Sequence, residues 1–330
     1  MTSPSQISYG KSYAVGAAGV ALLVFIASLL FAPFYFSGDQ QFYRLTYENM
    51  SGLNLMEAYS LYPLFMSSKE LGHFITIWMT SGFGIEKNLV MAVVNSLLAF
   101  FVMKLFEKWS VSLFVASTIC ITNYYMLVLY FSAERLKFAV LFFIMSVYYL
   151  QNTKKSFALS FLAIVSHVQM LIMYAALLSP KFFLNDFFRT GSIFKPKDTS
   201  ALVSILIFIT GAVLVWMLMG YQITSKIDYY LVAKNGARTP LDLLKAASIF
   251  CLTLLYTKRR AEVALAFIPI FILIFLIGNE NVNMFAFAIF ICYVSRYRRG
   301  LNFGILITSI YFCFKSVNFI QRTIATGQGF

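Results

Sequence analysis

Long apolar runs recur along the whole chain and limit what it can fold into: Tyr13–Phe34, Leu89–Leu105, Val111–Tyr130, Phe138–Leu150, Phe157–Leu178, Ala201–Met219, Leu241–Thr257, Ala261–Ile277, Val282–Val294 and Leu301–Phe314. A helix needs about 20 mostly apolar residues to cross a bilayer. Inside hydrocarbon only helices and closed barrels satisfy their own backbone polar groups. No series of alternating strands of about ten residues, the mark of a barrel, is present. The sequence therefore predicts an all-α, polytopic helical membrane protein. About 10–12 transmembrane segments of helical length fit into it. Composition agrees: 60% of residues are hydrophobic, 12% are charged and the mean hydropathy is +0.77, whereas soluble domains carry roughly 25% charged residues. No Pro/Gly/Ser linker or internal repeat divides residues 1–330, which read as a single integral membrane domain.

The first run, Tyr13–Phe34, is too long for a signal h-region and no small-residue cleavage motif closes it, so it reads as an uncleaved span. Cys120, Cys251, Cys292 and Cys313 all lie in apolar runs and lack metal-ligand spacing, so neither a disulfide framework nor a zinc site is indicated. The formal net charge of +13 is topological in origin, because cytoplasmic loops collect Lys and Arg. In so apolar a chain it does not point to nucleic acid.

Walking the charges along the chain gives a topology. Lys11 marks a cytoplasmic tail. The first span then delivers 35–86, a long, aromatic, nearly charge-balanced loop, to the outer side. Met56–Met66 and Phe74–Phe83 look like interfacial or partly re-entrant helices, although Leu71–Phe83 could also be a short crossing. Lys104, Lys108, Lys154 and Lys155 read cytoplasmic, and Glu134, Arg135 and Lys137 read as outer. A single crossing at Phe157–Leu178 would invert the positive-inside bias of the whole second half. Two half-helices, Phe157–Ser166 and Val168–Leu178, broken at Ser166–His167, restore it and bring His167 to the side of Arg135. Residues 181–200 then form a cytoplasmic loop and 221–240 an outer one, and Leu301–Phe314 runs outward.

The stretch FSAERLKFA, Phe131–Ala139, is the most informative. Charges at the edge of an apolar run are costly and tend to mark function. A guanidinium stays charged and matches phosphate oxygens with its planar fork. Arg135 is thus the first candidate for holding an anionic, phosphate-bearing lipid head, and Arg238 the second, with Lys226 and Lys315 weaker. The alternative for Arg135 is a snorkelling or helix-capping charge. No DxD-type carboxylate pair stands out as a metal site, so arginine rather than metal is expected to neutralise a leaving pyrophosphate. His167, Glu70, Asp39 and Asp228 are the side chains of a type that could accept a hydroxyl proton. Tyr43, Tyr47, Tyr59, Tyr62, Tyr229 and Tyr230 suit stacking on sugar rings, or an interfacial aromatic belt.

Four elements in order resemble one family. GDQQFYRLTY (Gly38–Tyr47), which contains Asp39, Tyr43 and Arg44, resembles the Asp-x-x-x-Tyr opening of the first outer loop in EpsG-like, Wzy-type polysaccharide polymerases. KELGHF (Lys69–Phe74) resembles their Glu-Pro-Gly-Phe element, with Leu71 in place of proline and His73 inserted. ERLKFA (Glu134–Ala139) is similar to their Arg-Gln-x-x-Ala helix start. SHVQMLI (Ser166–Ile172) resembles their His-x-Ser-Ala-Leu element, with Gln169 at the serine position. The resemblance spans Gly38–Ile172; beyond it only hydropathy matches, and Asn281 or Asn283 stands where the family often has an arginine.

The resemblance implies polymerisation of O-antigen or related repeat units at the periplasmic face of a bacterial inner membrane. The donor glycan on undecaprenyl pyrophosphate would pass to the non-reducing sugar of a second lipid-linked unit, without metal or other cofactor. Arg135 would hold pyrophosphate, His167 or Glu70 would aid deprotonation of the acceptor, and Asp39 with Tyr43 would shape the sugar groove. Arg44, Lys226, Asp228, Tyr229 and Arg238 complete the expected binding set. Implied partners are the two lipid-linked glycans and membrane lipid, with room for a chain-length regulator and no nucleic acid. A lipid-linked glycan flippase, or an O-antigen ligase-like glycosyltransferase, is the competing expectation.

Overall fold

A computed structural model describes residues 4–67, 70–181, 220, 224, 240–277 and 280–329. Among these residues the fold is all-α with no strand, as expected of a polytopic helical membrane protein. The helices are α1 (Pro4–Phe31), α2 (Asp39–Met50), α3 (Leu55–Met66), α4 (Leu71–Gly82), α5 (Lys87–Lys108), α6 (Leu113–Thr122), α7 (Tyr124–Phe131), α8 (Glu134–Tyr148), α9 (Thr153–Ser166), α10 (Met170–Lys181), α11 (Pro240–Tyr256), α12 (Arg260–Ile277), α13 (Glu280–Val294) and α14 (Phe303–Thr326). Three stretches among the described residues are long and apolar enough to cross a membrane, Ser12–Phe34, Lys87–Lys108 and Tyr297–Thr326, and the bent pair α6–α7 makes a fourth. Other apolar runs are built as shorter helices, among them Met170–Pro180 and Val282–Val294, and the expected span Ala201–Met219 lies outside the described residues.

The chain packs as two compact units, one made of 1–167 with 299–330 and one of 168–298. In the first, α1 lies along α5, α5 against α8, and α8 against α9. Val15, Leu22 and Leu30 of α1, with Leu306, Ile310 and Phe314 of α14, are exposed. An apolar band of this kind is what a lipid-facing surface requires. Between the end of α1 and the start of α5, the short helices α2, α3 and α4 form a cap. Asn54 begins α3 with a reciprocal capping box to Glu57. In the second unit, α10 packs on α12, and α11 packs on α12 and α13.

Both sequence-predicted irregularities in the cap region have a counterpart. Met56–Met66 falls within the short helix α3 and Phe74–Phe83 overlaps the short helix α4 (Leu71–Gly82), and the run around His167 is broken: α9 stops at Ser166, His167 is extended (φ −161, ψ 122) and α10 starts at Met170. Val111–Tyr130, by contrast, is not the single straight span that its hydropathy suggests. It bends by 53° at Asn123. Asn123 leaves helical geometry (φ −78, ψ 128), and its side chain caps α7 by accepting from the Tyr125 amide. The carbonyls released by the bend find hydroxyls: Cys120 accepts from Tyr130 and Thr122 from Ser316 on α14. A break in an apolar helix is tolerated where neighbouring side chains satisfy its backbone in this way.

The far end of α14 returns to the end of α1. The amides of Phe36 and Ser37 both donate to the Gly327 carbonyl. Gly327 has φ +74, and a Cβ there would lie 2.5 Å from the Phe36 ring, so glycine is required by conformation and by space.

Replacing Asn123 by Ala removes the cap that starts α7. A loss of about 1 kcal/mol is expected, read as a lower melting temperature of the protein in detergent, with Asn123→Ser retaining more of the stability than Ala because its neutral hydroxyl can also cap.

Candidate functional site

One end of the first unit gathers ionisable side chains from α4, α5, α8 and the end of α9. Glu70, the N-cap residue of α4, is 1% exposed. Its Oε2 lies 3.1 Å from Arg135 Nη1 in the first turn of α8, and its Oε1 lies 3.3 Å from His167 Nε2 just past α9. Arg135 also donates to the Met66 carbonyl at 3.3 Å and to the Tyr43 hydroxyl at 3.4 Å. The side chains of Arg135 and His167 retain 22% and 12% of their exposure, so they are the two accessible ends of a chain whose middle is buried.

Beside this chain runs a second. Glu134 is 3% exposed and takes Lys87 Nζ of α5 at 2.6 Å. Lys87 donates as well to Gln40 Oε1 at 3.0 Å. His73 of α4 is wholly buried; its Nδ1 is 2.9 Å from the Tyr62 hydroxyl and its Nε2 is 3.8 Å from Glu134 Oε2. The Tyr43 ring packs edge-on against His73 at 5.5 Å and joins the two chains. Lys137, also fully buried, caps the other side of the corner by donating to the Tyr130 carbonyl, and Gln40 donates to the Phe131 carbonyl. A cation placed on the last carbonyls of a helix meets both their unfilled acceptors and the helix dipole.

Two carboxylates thus pair with two basic side chains, Glu134 with Lys87 and Glu70 with Arg135. Buried charges are tolerable only when paired and hydrogen-bonded, and here each carboxylate is held by partners from other helices. Burial pushes the Tyr43 phenol above its usual value, so it stays a neutral hydroxyl. Burial likewise lowers the His73 imidazole, against the opposing pull of Glu134. Among the described residues no group of three or more His, Cys, Asp or Glu side chains is placed to hold a metal ion.

The close approach of α4 to the end of α9 depends on Gly72. A Cβ at that position would fall 1.9 Å from Ser166 Oγ and 3.2 Å from its Cα. The glycine of KELGHF therefore lets the helix that carries Glu70 touch the segment that carries His167.

Of the residues anticipated from sequence, Glu70, Arg135, His167 and Tyr43 come together. Tyr43 is 4% exposed, and its hydroxyl positions Arg135. Tyr47 and Tyr62 are buried as well. Asp39 is exposed in the first turn of α2, and Arg44 turns away to donate to the Ala32 and Tyr35 carbonyls at the end of the first span. Lys226, Asp228, Tyr229 and Arg238 lie outside the described residues. The sequence reading did not single out Lys87, Gln40 or Tyr62 as partners of these charges. A lysine at the head of an apolar run looks like an interfacial anchor, and only the fold turns Lys87 inward onto Glu134.

Two consequences can be measured. Gly72→Ala should lower stability by roughly 1–3 kcal/mol through overpacking, and adding Ser166→Gly to the same chain should recover part of it; an undisturbed melting temperature in the single variant would contradict the packing described. The second concerns pH. His73 has a lowered pKa in the folded chain, so the unfolded chain binds the extra proton first. Stability is therefore full above the unfolded imidazole value of about 6.5 and falls as pH drops below it. His73→Gln should flatten that part of the pH–stability curve.

No family model, curated protein or solved structure matches this chain.

Proposed function

We propose that the protein is a polysaccharide polymerase. It would join glycan repeat units carried on undecaprenyl pyrophosphate, at the periplasmic face of a bacterial inner membrane. The observation that carries this reading is the Arg135–Glu70–His167 chain: one buried carboxylate holds a guanidinium on one oxygen and an imidazole on the other, at 3.1 and 3.3 Å.

The chemistry to be done is displacement of a pyrophosphate from an anomeric carbon by a sugar hydroxyl. Negative charge grows on the leaving pyrophosphate, and a fixed guanidinium is suited to neutralise it. Arg135 has that role. Its clamps to Glu70, Tyr43 and Met66 fix its direction in advance, which lowers the reorganisation needed during reaction. The attacking hydroxyl must lose a proton, and His167 is the accessible base. With Nε2 carrying its proton toward Glu70, the lone pair is on Nδ1, and Glu70 would stabilise the imidazolium that forms. Glu70 itself is too buried to meet a sugar, so it acts as a positioning residue. The atom balance is simple: the glycosidic bond forms to the acceptor oxygen, the anomeric carbon–phosphate oxygen bond breaks, and the proton passes to His167 and then to water.

The apolar surface of α1 and α14 suits a substrate with its tail in lipid and its head in water. The flippase reading calls for charges at the membrane midplane, whereas the charges described here gather at one end of the first unit.

The decisive experiment is in cells of the native host. Arg135→Ala and His167→Ala should abolish long surface glycans while single repeats remain. Glu70→Gln should lower chain extension by about two orders of magnitude or more. Arg135→Lys should restore little, because an ammonium lacks the fork. Accumulation of untranslocated lipid-linked intermediates would point to a flippase instead, and unchanged chain length in Arg135→Ala would remove the proposal.

A further inference from the structure

Two segments of the second unit meet at one end of it and carry charge in a pattern that helix stability does not ask for. The turn from α11 to α12 reads Tyr256-Thr257-Lys258-Arg259-Arg260, and the segment after α13 reads Ser295-Arg296-Tyr297-Arg298. Aromatic rings bring them together: Tyr256 packs on Tyr297 with centroids 5.8 Å apart. Tyr293, in the last turn of α13, lies within electrostatic range of Arg259, Glu262 and Arg296. Lys258, Arg259, Arg260, Arg296 and Arg298 are all exposed. The one carboxylate within 256–262 and 295–298 is Glu262, whose Oε2 lies 3.4 Å from Arg259 Nη1.

Two features show these cations held against local preference. Arg259 and Arg260 stand at the start of α12, the positive end of the helix dipole, where cations are disfavoured. Arg298 has φ +48, a left-handed conformation that is costly for a residue with a Cβ. Strain of this kind persists where a residue has a use. Sorting of a membrane chain asks for basic residues near the ends of its spans. It asks neither for arginine at the head of a helix nor for arginine in the left-handed region. The surroundings point to lipid. α11 and α13 arrive as apolar helices, Leu243–Tyr256 and Val282–Val294. Leu255 is 75% exposed and Tyr297 44% exposed. The cations therefore stand within a turn of apolar surface and beside an aromatic pair, as residues at the head-group level of a bilayer do. An acidic protein approaching from water would meet the charge and leave Leu255 uncovered.

We infer that this end of the second unit binds a membrane lipid with two phosphodiesters, of the diphosphatidylglycerol type. Lys258, Arg259 and Arg260 form one arm and take one phosphate. Arg296 and Arg298 form the other arm and take the second. The Tyr256–Tyr297 pair joins the arms, and the acyl chains run along the apolar side marked by Leu255. Guanidinium forks match phosphate oxygens, which suits arms made mostly of arginine. A lipid with one phosphate engages one arm at a time. A lipid that joins two phosphates by a short linker engages both, and its second contact is intramolecular. The inference is independent of the polymerase reading, since Arg135, Glu70 and His167 take no part in it.

The test reconstitutes the full chain in phosphatidylcholine vesicles doped, at equal charge and equal acyl content, with tetraoleoyl diphosphatidylglycerol or dioleoylphosphatidylglycerol. Lipid retained after detergent extraction is counted by native mass spectrometry. The wild type should retain diphosphatidylglycerol about tenfold over phosphatidylglycerol, a modest share of the gain that two linked contacts can give. Neutralising either arm should bring the two lipids to equal retention; the variants are Lys258→Gln with Arg259→Gln and Arg260→Gln, and Arg296→Gln with Arg298→Gln. Arg298→Gly separates binding from structure. It relieves the left-handed strain, so the melting temperature should hold or rise while the preference falls. Equal retention of the two lipids by the wild type overturns the inference, and that comparison needs no variant to fold. A preference that survives both arm variants places the lipid elsewhere and overturns it too. Release of the bound lipid by soluble polyglutamate at matched charge would assign the surface to an acidic protein instead.

Discussion

Two carboxylates buried at one end of a helical bundle set the terms for everything around them. An isolated carboxylate removed from water would cost several kcal/mol. Glu70 and Glu134 are 1% and 3% exposed, so their cations must come to them. Those cations lie on different helices: Arg135 on α8 reaches Glu70 on α4, and Lys87 on α5 reaches Glu134 on α8. The pairing locks α4, α5 and α8 together at their ends. It also fixes the register of α8, because consecutive residues 134 and 135 are held from two directions.

The same arrangement explains why so irregular a region can sit at the edge of an apolar protein. The corner between α7 and α8 has its carbonyls covered by Asn95, Lys137 and Gln40. The bend at Asn123 has its carbonyls covered by Tyr130 and Ser316. Breaks in apolar helices survive where side chains replace the missing backbone partners. Here those side chains come from distant parts of the sequence, so the fold must form before the breaks are affordable. A rigid corner then presents Arg135 in one direction, which is the property a pre-set anion site needs.

Much of this was legible in the chain itself. The recurrence of long apolar runs implied an all-helical membrane protein, since hydrocarbon leaves the backbone few other choices. The interruption at His167 followed from charge parity, and the short helices of 35–86 followed from their amphipathic, aromatic composition. Arg135 stood out because a guanidinium beside an apolar run is costly. What could not be read was the destination of each charge. Nothing in the sequence marked Lys87 as the partner of Glu134, Arg44 as a donor to the Ala32 and Tyr35 carbonyls, or Tyr62 as the partner of His73. Periodicity reports which face of a helix is apolar, not which distant carbonyl or carboxylate a long side chain will meet.

By itself, then, the sequence determined solvent and secondary structure: lipid as the surroundings of its spans, helices as the only spanning form, and charge confined to the ends. Tertiary structure alone decided that Glu70 stands between Arg135 and His167, that Gly72 must lack a Cβ for this to happen, and that the Val111–Tyr130 run bends. The reason is one of range. Hydropathy acts residue by residue along the chain, whereas an ion pair acts over a few ångströms between residues that may be dozens of positions apart.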